Sequence, residues 1–231
     1  MRLLSLLCAS VLLLGVTSVS EAALVSRLGG QAVYDIDRDI TWLADANLAD
    51  SMTFGVPGII ADGRMSWFTA LSWIGSLNAT NGGAGYLGFN NWRLPSAFNG
   101  DGSGPCGPAF NCAGSEMGHL FYNELGGNAN ESVFNQPGDT PVEIANLALF
   151  SNVQPSFYWS GTEFAPNPNL AWGFGFGNGN QLTDFKDVNS NGFAWAVRSG
   201  DVAPVPSPSA MLLFATGLAC LIGWKYQKTR S

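Results

Sequence analysis

The sequence predicts one α+β domain, with strands near both ends of the domain and helices between them. Short segments in which apolar residues alternate with polar or small ones flank two segments whose apolar residues recur at helical spacing. Glycine, asparagine and aromatic residues are abundant while lysine is scarce, which is typical of short elements joined by polar turns. About 180 residues lie between two apolar termini, enough for one hydrophobic core.

The N-terminus has the pattern of a secretory signal peptide. Residues 1–22 carry one early charge at Arg2, an apolar stretch over residues 3–16, and small residues before the expected cleavage site. The apolar stretch is shorter than the roughly 20 residues of a membrane-spanning helix. We therefore expect a signal peptide over residues 1–22 and a mature, exported chain that begins at Ala23.

The C-terminus ends in a short apolar segment followed by positive charge. Residues 210–224 contain no charged side chain and would form a helix of roughly 22 Å at about 1.5 Å per residue, barely enough to cross a bilayer. Lys225, Lys228 and Arg230 follow this segment and are expected to stay in the cytoplasm. This orientation predicts an inner-membrane anchor with residues 23–205 outside.

The predicted elements begin with a β-hairpin and a helix. The pattern predicts two strands, over residues 32–36 and 40–44, with residues 37–39 at the bend between them. A helix that ends near Asn78 follows, because apolar residues recur at helical spacing: Trp67, Ala70, Leu71, Ile74 and Leu77.

The second half of the domain is predicted to contain one helix and then strands. Ser115 is a suitable N-cap for a helix that stops at Gly126 or Gly127. Three strands are predicted after it, over residues 157–161, 171–178 and 193–198, and in the last two large apolar residues alternate with small ones.

The domain is strongly acidic. The chain has 17 acidic and 10 basic residues, of which Glu21 and four basic residues lie in the termini. Residues 23–203 therefore contain 16 acidic and 6 basic residues, a net charge of −10. Such a surface repels nucleic acids and other anionic polymers. We expect no nucleic-acid partner.

Two cysteines belong to the expected mature domain. Cys8 is removed with the signal peptide and Cys220 falls in the C-terminal segment, which leaves Cys106 and Cys112 in the sequence GPCGPAFNC. In an oxidising compartment this spacing predicts a disulfide that closes a small loop. A copper-binding or redox-active thiol pair is the alternative, but no histidine or basic residue lies nearby in sequence.

Arg93 lies in the segment NNWRLPS and is a candidate for a specific ion pair. Pro95 favours an extended conformation at Leu94, which would leave the side chain of Arg93 on the opposite side from Leu94. The planar guanidinium group can hold a carboxylate through two hydrogen bonds, and Glu116 or an aspartate of residues 35–39 could supply it. The pair would be a structural clamp, unless Arg93 contacts a ligand directly.

Acidic side chains around the predicted hairpin suggest a calcium site. Carboxylate and amide oxygens are the ligands that calcium prefers, and five are close in sequence: Asp35, Asp37, Asp39, Asp45 and Asn47. The segment lacks the glycine turn and the distal glutamate of an EF-hand loop. Solvated carboxylates, or neutralisation by Arg38 and Arg93, are the alternatives.

The sequence offers few groups for catalysis. His119 is the only histidine, and its place between apolar residues of a predicted helix favours a packing or capping role. A Ser/His/Asp triad or a zinc site cannot be assembled from one histidine by the usual spacings. We expect no enzymatic activity.

Several segments, in their order along the chain, resemble the family named for the C-terminal domain of the collagen-like adhesin Lcl. They are YDIDRDITWLADAN, SWFTALSWIGSLN, NNWRLPS, SEMGHLFYNELGG, FYWSGTE and FAWAVRSGD, and they run from about Val33 to Asp201. The resemblance implies a domain over residues 23–202. The WRLP segment followed by an acidic helix is also similar to formylglycine-generating enzymes and C-type-lectin-like folds, which implies a mixed fold with loops on one side.

The tail over residues 203–231 resembles the PEP-CTERM sorting signal of bacteria that make exopolysaccharide. A short proline motif precedes the apolar segment and the basic end, and consists of Val205, Pro206, Ser207 and Pro208, where the family pattern has glutamate in place of Ser207. The resemblance implies recognition and cleavage by an exosortase, with transfer to the cell surface or the extracellular matrix.

Together these features predict an exported, surface-sorted and non-enzymatic protein that binds exopolysaccharide or forms part of the extracellular matrix. A calcium-dependent, lectin-like glycan-binding module is the alternative, and a formylglycine-generating enzyme is a further one. That enzyme would need a copper-binding thiol pair near the last strands, which carry no cysteine. Tyr158, Trp159 and Trp172 are either exposed aromatics that stack on sugars or members of the core.

Overall fold

The computed structural model describes residues 23–135, 137–187 and 192–202 and places them in an α+β fold. The predicted signal peptide, the proline motif and the apolar segment 210–224 lie outside the described residues. Within the described ranges, no helix is both long and apolar enough to cross a membrane.

The first sheet contains the predicted hairpin and joins the two ends of the domain. Its four antiparallel strands are β1 (Leu24–Arg27), β2 (Ala32–Asp35), β3 (Ile40–Leu43) and β7 (Val197–Ser199), in the order β1-β2-β3-β7. Ala32 pairs with Leu43 and Asp35 with Ile40, which confirms the predicted hairpin. Pairing of β3 with β7 brings the end of the domain against its beginning.

The second sheet is a three-stranded antiparallel meander. Its strands are β4 (Phe157–Glu163), β5 (Leu170–Gly175) and β6 (Asn180–Phe185). The predicted strand over residues 193–198 is regular only in β7. Its first residue, Phe193, forms a parallel bridge with Tyr158 of β4, while Ala196 accepts a hydrogen bond from Leu43 of β3. This segment therefore connects the two sheets.

Among the described residues, four α-helical segments lie between β3 and β4 in sequence. They are α1 (Leu48–Ser51), α2 (Trp67–Ala79), α3 (Glu116–His119, extended by a π-helical turn over Leu120–Glu124) and α4 (Pro141–Leu147). The predicted Ser115 cap is confirmed, since its hydroxyl accepts a hydrogen bond from the backbone of Gly118. In α2 the prediction for Leu71 is wrong: Trp73 is buried instead, because the core-facing stripe follows the i, i+3, i+4, i+7 positions from Ala70.

Buried tryptophans form the centre of the core. Trp42, Trp73, Trp159 and Trp195 are fully buried, and the rings of Trp42 and Trp195 meet edge to face with centroids 5.1 Å apart. Indole N–H groups reach backbone carbonyls across the fold, from Trp195 to Leu43 at 2.7 Å and from Trp159 to Met65 at 2.9 Å. These bonds fix how the sheets and the central segments pack.

Candidate functional site

The bend of the β2–β3 hairpin lies against helix α3. Asp35, the last residue of β2, is fully buried, and its Oδ1 accepts a hydrogen bond from the backbone of Arg38 at 3.0 Å. Its Oδ2 has no hydrogen-bond partner and lies 3.8 Å from Nε2 of His119. A buried carboxylate oxygen therefore faces the only histidine of the chain.

The π-helical turn that extends α3 brings a second carboxylate to the same histidine. Oε1 of Glu124 lies 3.2 Å from Nε2 of His119, and both side chains are buried. In a regular α-helix the side chains of residues five apart are separated by about 140° around the helix axis. The wider π-helical turn reduces this separation, so His119 and Glu124 lie on nearly the same side of the helix. Asp37, exposed at the hairpin bend, places a carboxylate oxygen within 4.8 Å of the ligand atoms of His119 and Glu124. We call Asp35, Asp37, His119 and Glu124 the acid–imidazole cluster.

The acid–imidazole cluster carries excess negative charge in a buried setting. Burial raises the pKa of the Asp35 carboxyl to about 6, although His119 and the backbone N–H of Arg38 act in the opposite direction. The carboxylates of Glu124 and Asp37 add to the rise. Among the described residues, no lysine or arginine forms an ion pair with the three carboxylates.

The structure does not bring the five predicted calcium ligands together. Asp39 has a positive φ of 50°, and its carboxylate accepts a hydrogen bond from the hydroxyl of Tyr34 at 2.8 Å. Asp45 follows the far end of β3, roughly 20 Å along an extended chain from Asp39. The side chain of Asp45 accepts hydrogen bonds from the backbone of Asn47 and from Asn152. Asp45 is therefore unsuited to act as an accessory ligand at the hairpin bend, and calcium binding by Asp35, Asp37 and Asp39 stays a prediction.

Asn47 is committed to a different part of the fold. It is buried and donates a side-chain hydrogen bond to the backbone carbonyl of Asp62 at 3.0 Å. This contact holds the loop before α2 against α1. The prediction also missed His119 and Glu124, because their spacing in sequence does not place them side by side in an ordinary helix.

Arg93 and Glu116 form the predicted two-bond ion pair. The guanidinium group donates to the two carboxylate oxygens of Glu116 at 2.7 and 2.6 Å. Glu116 also accepts a hydrogen bond from the backbone of Ser96 at 2.7 Å. Arg93 is further fixed by two backbone hydrogen bonds with Val197 of β7. The aspartates of the hairpin bend take no part in this pair.

A cleft of about 530 Å³ lies between α2 and the end of β4, directly beside Arg93. Leu71 and Leu94 line it with apolar side chains, and so does Phe98, which has 52% of its surface exposed. Polar groups also face it, from Arg93, Ser96, Thr162 and Glu163. We call this the Phe98 cleft.

The aromatic residues considered for sugar stacking are in the core instead. Tyr158, Trp159 and Trp172 are all buried, so they are unavailable to a ligand and the stacking hypothesis is wrong for them. Phe98, which the sequence prediction did not single out, is exposed. The only feature of the sequence that points to an exposed Phe98 is its position three residues after Pro95, at the end of an extended segment.

The cysteine loop forms a second, more polar hollow. The structure places the sulfur atoms of Cys106 and Cys112 at 2.08 Å, a disulfide distance. The hollow beside them has a volume of about 400 Å³. Arg38 reaches it and donates to the backbone carbonyls of Ala113 and Gly114 at 3.0 and 2.7 Å. The guanidinium group of Arg38 is therefore engaged by this loop and does not neutralise the hairpin aspartates.

Comparison of the chain with known protein families, with curated proteins and with solved structures finds no match. The resemblances to the Lcl C-terminal domain family and to PEP-CTERM tails stay predictions from the sequence.

Proposed function

We propose that the protein is an exported, non-catalytic surface protein that binds a neutral polysaccharide of the extracellular matrix. The signal-peptide pattern of residues 1–22 and the sorting-like tail of residues 203–231 support export, followed by inner-membrane anchoring and release to the surface by an exosortase. The net charge of −10 over residues 23–203 disfavours anionic glycans, so the proposed ligand is uncharged.

The Phe98 cleft carries this proposal. Sugar rings present apolar C–H faces, which pack on aromatic rings, and hydroxyl groups, which need polar partners at the edges. The cleft offers an exposed phenyl ring beside the hydroxyl groups of Ser96 and Thr162 and the carboxylate of Glu163. Apolar walls with a few fixed polar groups are typical of small-ligand sites.

The polar rim of the Phe98 cleft is held in place before any ligand arrives. Glu116 fixes the guanidinium group of Arg93, and Nζ of Lys186 lies 3.1 Å from Oε1 of Glu163. Lys186 is itself buried and lies over the ring of Trp67, 4.6 Å from its centroid. Side chains that are already ordered lose less entropy on binding.

Co-sedimentation with the exopolysaccharide of the producing bacterium tests this function. We expect the full-length protein to sediment with the polymer equally in calcium and in EDTA. Phe98→Ala should reduce the bound fraction at least fivefold, whereas Phe134→Ala should not. Phe134 is a matched control, because it is 50% exposed and does not line the cleft.

The other outcomes separate the alternatives. Binding that disappears in EDTA and returns with Ca²⁺ but not with Zn²⁺ would instead support the calcium-dependent, lectin-like module. If the protein does not sediment with the polymer, or if both phenylalanine variants bind like the wild type, the proposed function of the cleft is wrong.

A further inference from the structure

The acid–imidazole cluster is not part of the proposed polysaccharide site. Its buried, unpaired polar atoms indicate that it binds a separate ligand. Two of its polar atoms, Oδ2 of Asp35 and Nε2 of His119, are buried without a hydrogen-bond partner. Buried polar groups are nearly always paired in folded proteins. Two such atoms 3.8 Å apart and facing each other indicate that a further group belongs between them.

We propose that the cluster binds one divalent transition-metal ion through Asp37, His119 and Glu124, with the buried carboxylate of Asp35 beside His119. The metal would connect the bend of the β2–β3 hairpin to helix α3. This inference is independent of the polysaccharide-binding role.

The distances within the cluster suit a shared ion. Metal–nitrogen and metal–oxygen bonds of about 2.0–2.2 Å in a tetrahedral site put neighbouring ligand atoms roughly 3.3–3.6 Å apart. Nε2 of His119 lies 3.2 Å from Glu124 and 3.8 Å from Asp35, and the Asp37 oxygen is within 4.8 Å of the ligand atoms of His119 and Glu124. Only Asp37 is exposed, and a rotation of its side chain would complete the site from the solvent side.

The orientation of His119 supports the same conclusion. Its Nε2 and the Glu124 oxygen are 3.2 Å apart but form no hydrogen bond, so the oxygen does not lie in line with the ring N–H direction. Two ligand atoms of one metal ion are arranged in this way, because the lone pair of each atom is directed at the ion and not at the other ligand atom. Asn146 donates hydrogen bonds to the backbone carbonyl of Glu124 at 2.9 Å and to its carboxylate at 3.4 Å, as outer partners of metal ligands do.

Charge and ligand type define the class of metal. Three carboxylates converge without a lysine or arginine partner among the described residues, and a dication would offset most of their charge. Calcium takes six to eight oxygen ligands, whereas an imidazole nitrogen suits zinc and its first-row neighbours. The site should therefore prefer Zn²⁺ or Mn²⁺ to Ca²⁺.

Because His119 is the only histidine, its imidazole reports on this site alone. The test uses the full-length protein in detergent micelles, with any histidine tag removed and with histidine labelled by ¹⁵N. The unprocessed full-length chain keeps Cys8 and Cys220, which can take up zinc, so the imidazole resonances, not total metal content, are the readout. Stoichiometric Zn²⁺ should shift Nε2 to the metal-bound range, Mn²⁺ should broaden the same resonances, and equimolar Ca²⁺ should leave them unchanged.

Two conservative substitutions give the matched comparison. Asp37→Asn and Glu124→Gln should each weaken Zn²⁺ binding at His119 at least tenfold, and Asp50→Asn, at an exposed aspartate of α1, should not. Since Asp37 is exposed, its variant should fold normally, which a thermal melt without metal checks. Unchanged imidazole resonances with Zn²⁺ and Mn²⁺ would overturn the proposal, as would equal affinity in Asp37→Asn and Glu124→Gln, or a stronger response to Ca²⁺.

Discussion

At the scale of single residues, the pair of Arg93 and Glu116 shows how one interaction joins two parts of the chain, the extended segment 93–96 and helix α3. Glu116 lies in the first turn of α3, where a carboxylate also suits the helix dipole. It accepts hydrogen bonds from Arg93 and from the backbone of Ser96. The position of Arg93 at the edge of the Phe98 cleft therefore depends on the carboxylate of Glu116 in α3.

Glu116→Ala should lower the free energy of unfolding by about 2 kcal/mol, because one change removes charged hydrogen bonds to both Arg93 and Ser96. Urea denaturation measures this loss. Asp62→Ala, which removes the exposed ion pair with Arg64, is the control and should cost less than about 1 kcal/mol. Equal losses in the two variants would contradict the clamp.

The ion pair of Arg93 could be predicted from the sequence, whereas the contacts of His119 could not. The fork geometry of arginine restricted the partners of Arg93 to a few carboxylates, and Glu116 was among them. The neighbours of His119 were not predictable in the same way. Its contact with Glu124 depends on a π-helical turn, and its contact with Asp35 depends on packing between elements far apart in sequence.

At the scale of elements, the alternation of large and small residues in β5 has a specific cause. Gly173 lies under the ring of Phe157 and against the backbone of Tyr158 in β4, and a Cβ atom at this position would overlap both. The close pairing of β5 with β4 therefore depends on the absence of a side chain at this residue. By contrast, Gly75 in α2 is exposed and has free space around its Cα atom.

Gly173→Ala should destabilise the protein by about 2 kcal/mol, since the added methyl group forces Phe157 and the neighbouring strand to move. Gly75→Ala should stabilise it by up to about 1 kcal/mol, because alanine has the higher helix propensity. Thermal melts of the two variants, recorded side by side, test both signs. A neutral Gly173→Ala would show that β4 and β5 are not packed this closely.

Element prediction succeeded where the apolar pattern was strong. The hairpin, α2, α3 and most of β4 and β5 follow from periodicity and capping. Strand β6 reads NQLTDF and was missed, because most of its residues are only partly buried and the hydrogen bonds to β5 define it. Helix α4 was missed although Thr140, as the N-cap, and Glu143, as the third helical residue, form a capping box with Pro141 as the first helical residue, a signal that the sequence does carry.

At the scale of the whole molecule, both ends of the domain lie beside the hairpin bend. The carbonyl of Ala23 accepts a hydrogen bond from the backbone of Ile36, and the backbone of Gly200 donates to the carbonyl of Asp39. Ala23 and Gly200, close to the two ends of the described domain, therefore lie near the acid–imidazole cluster. The α+β class of the domain was predictable, but the sequence could not show that one segment, residues 193–196, joins its two sheets.

Hydrogen–deuterium exchange with and without the exopolysaccharide tests the central claim most directly, because it locates the bound polymer on the whole protein. We expect slower amide exchange in the segments that line the Phe98 cleft, residues 94–98 and 160–163, and no change in residues 128–135 at the opposite end of the second sheet. Slowing confined to other segments, or no slowing at saturating polymer, would contradict the account.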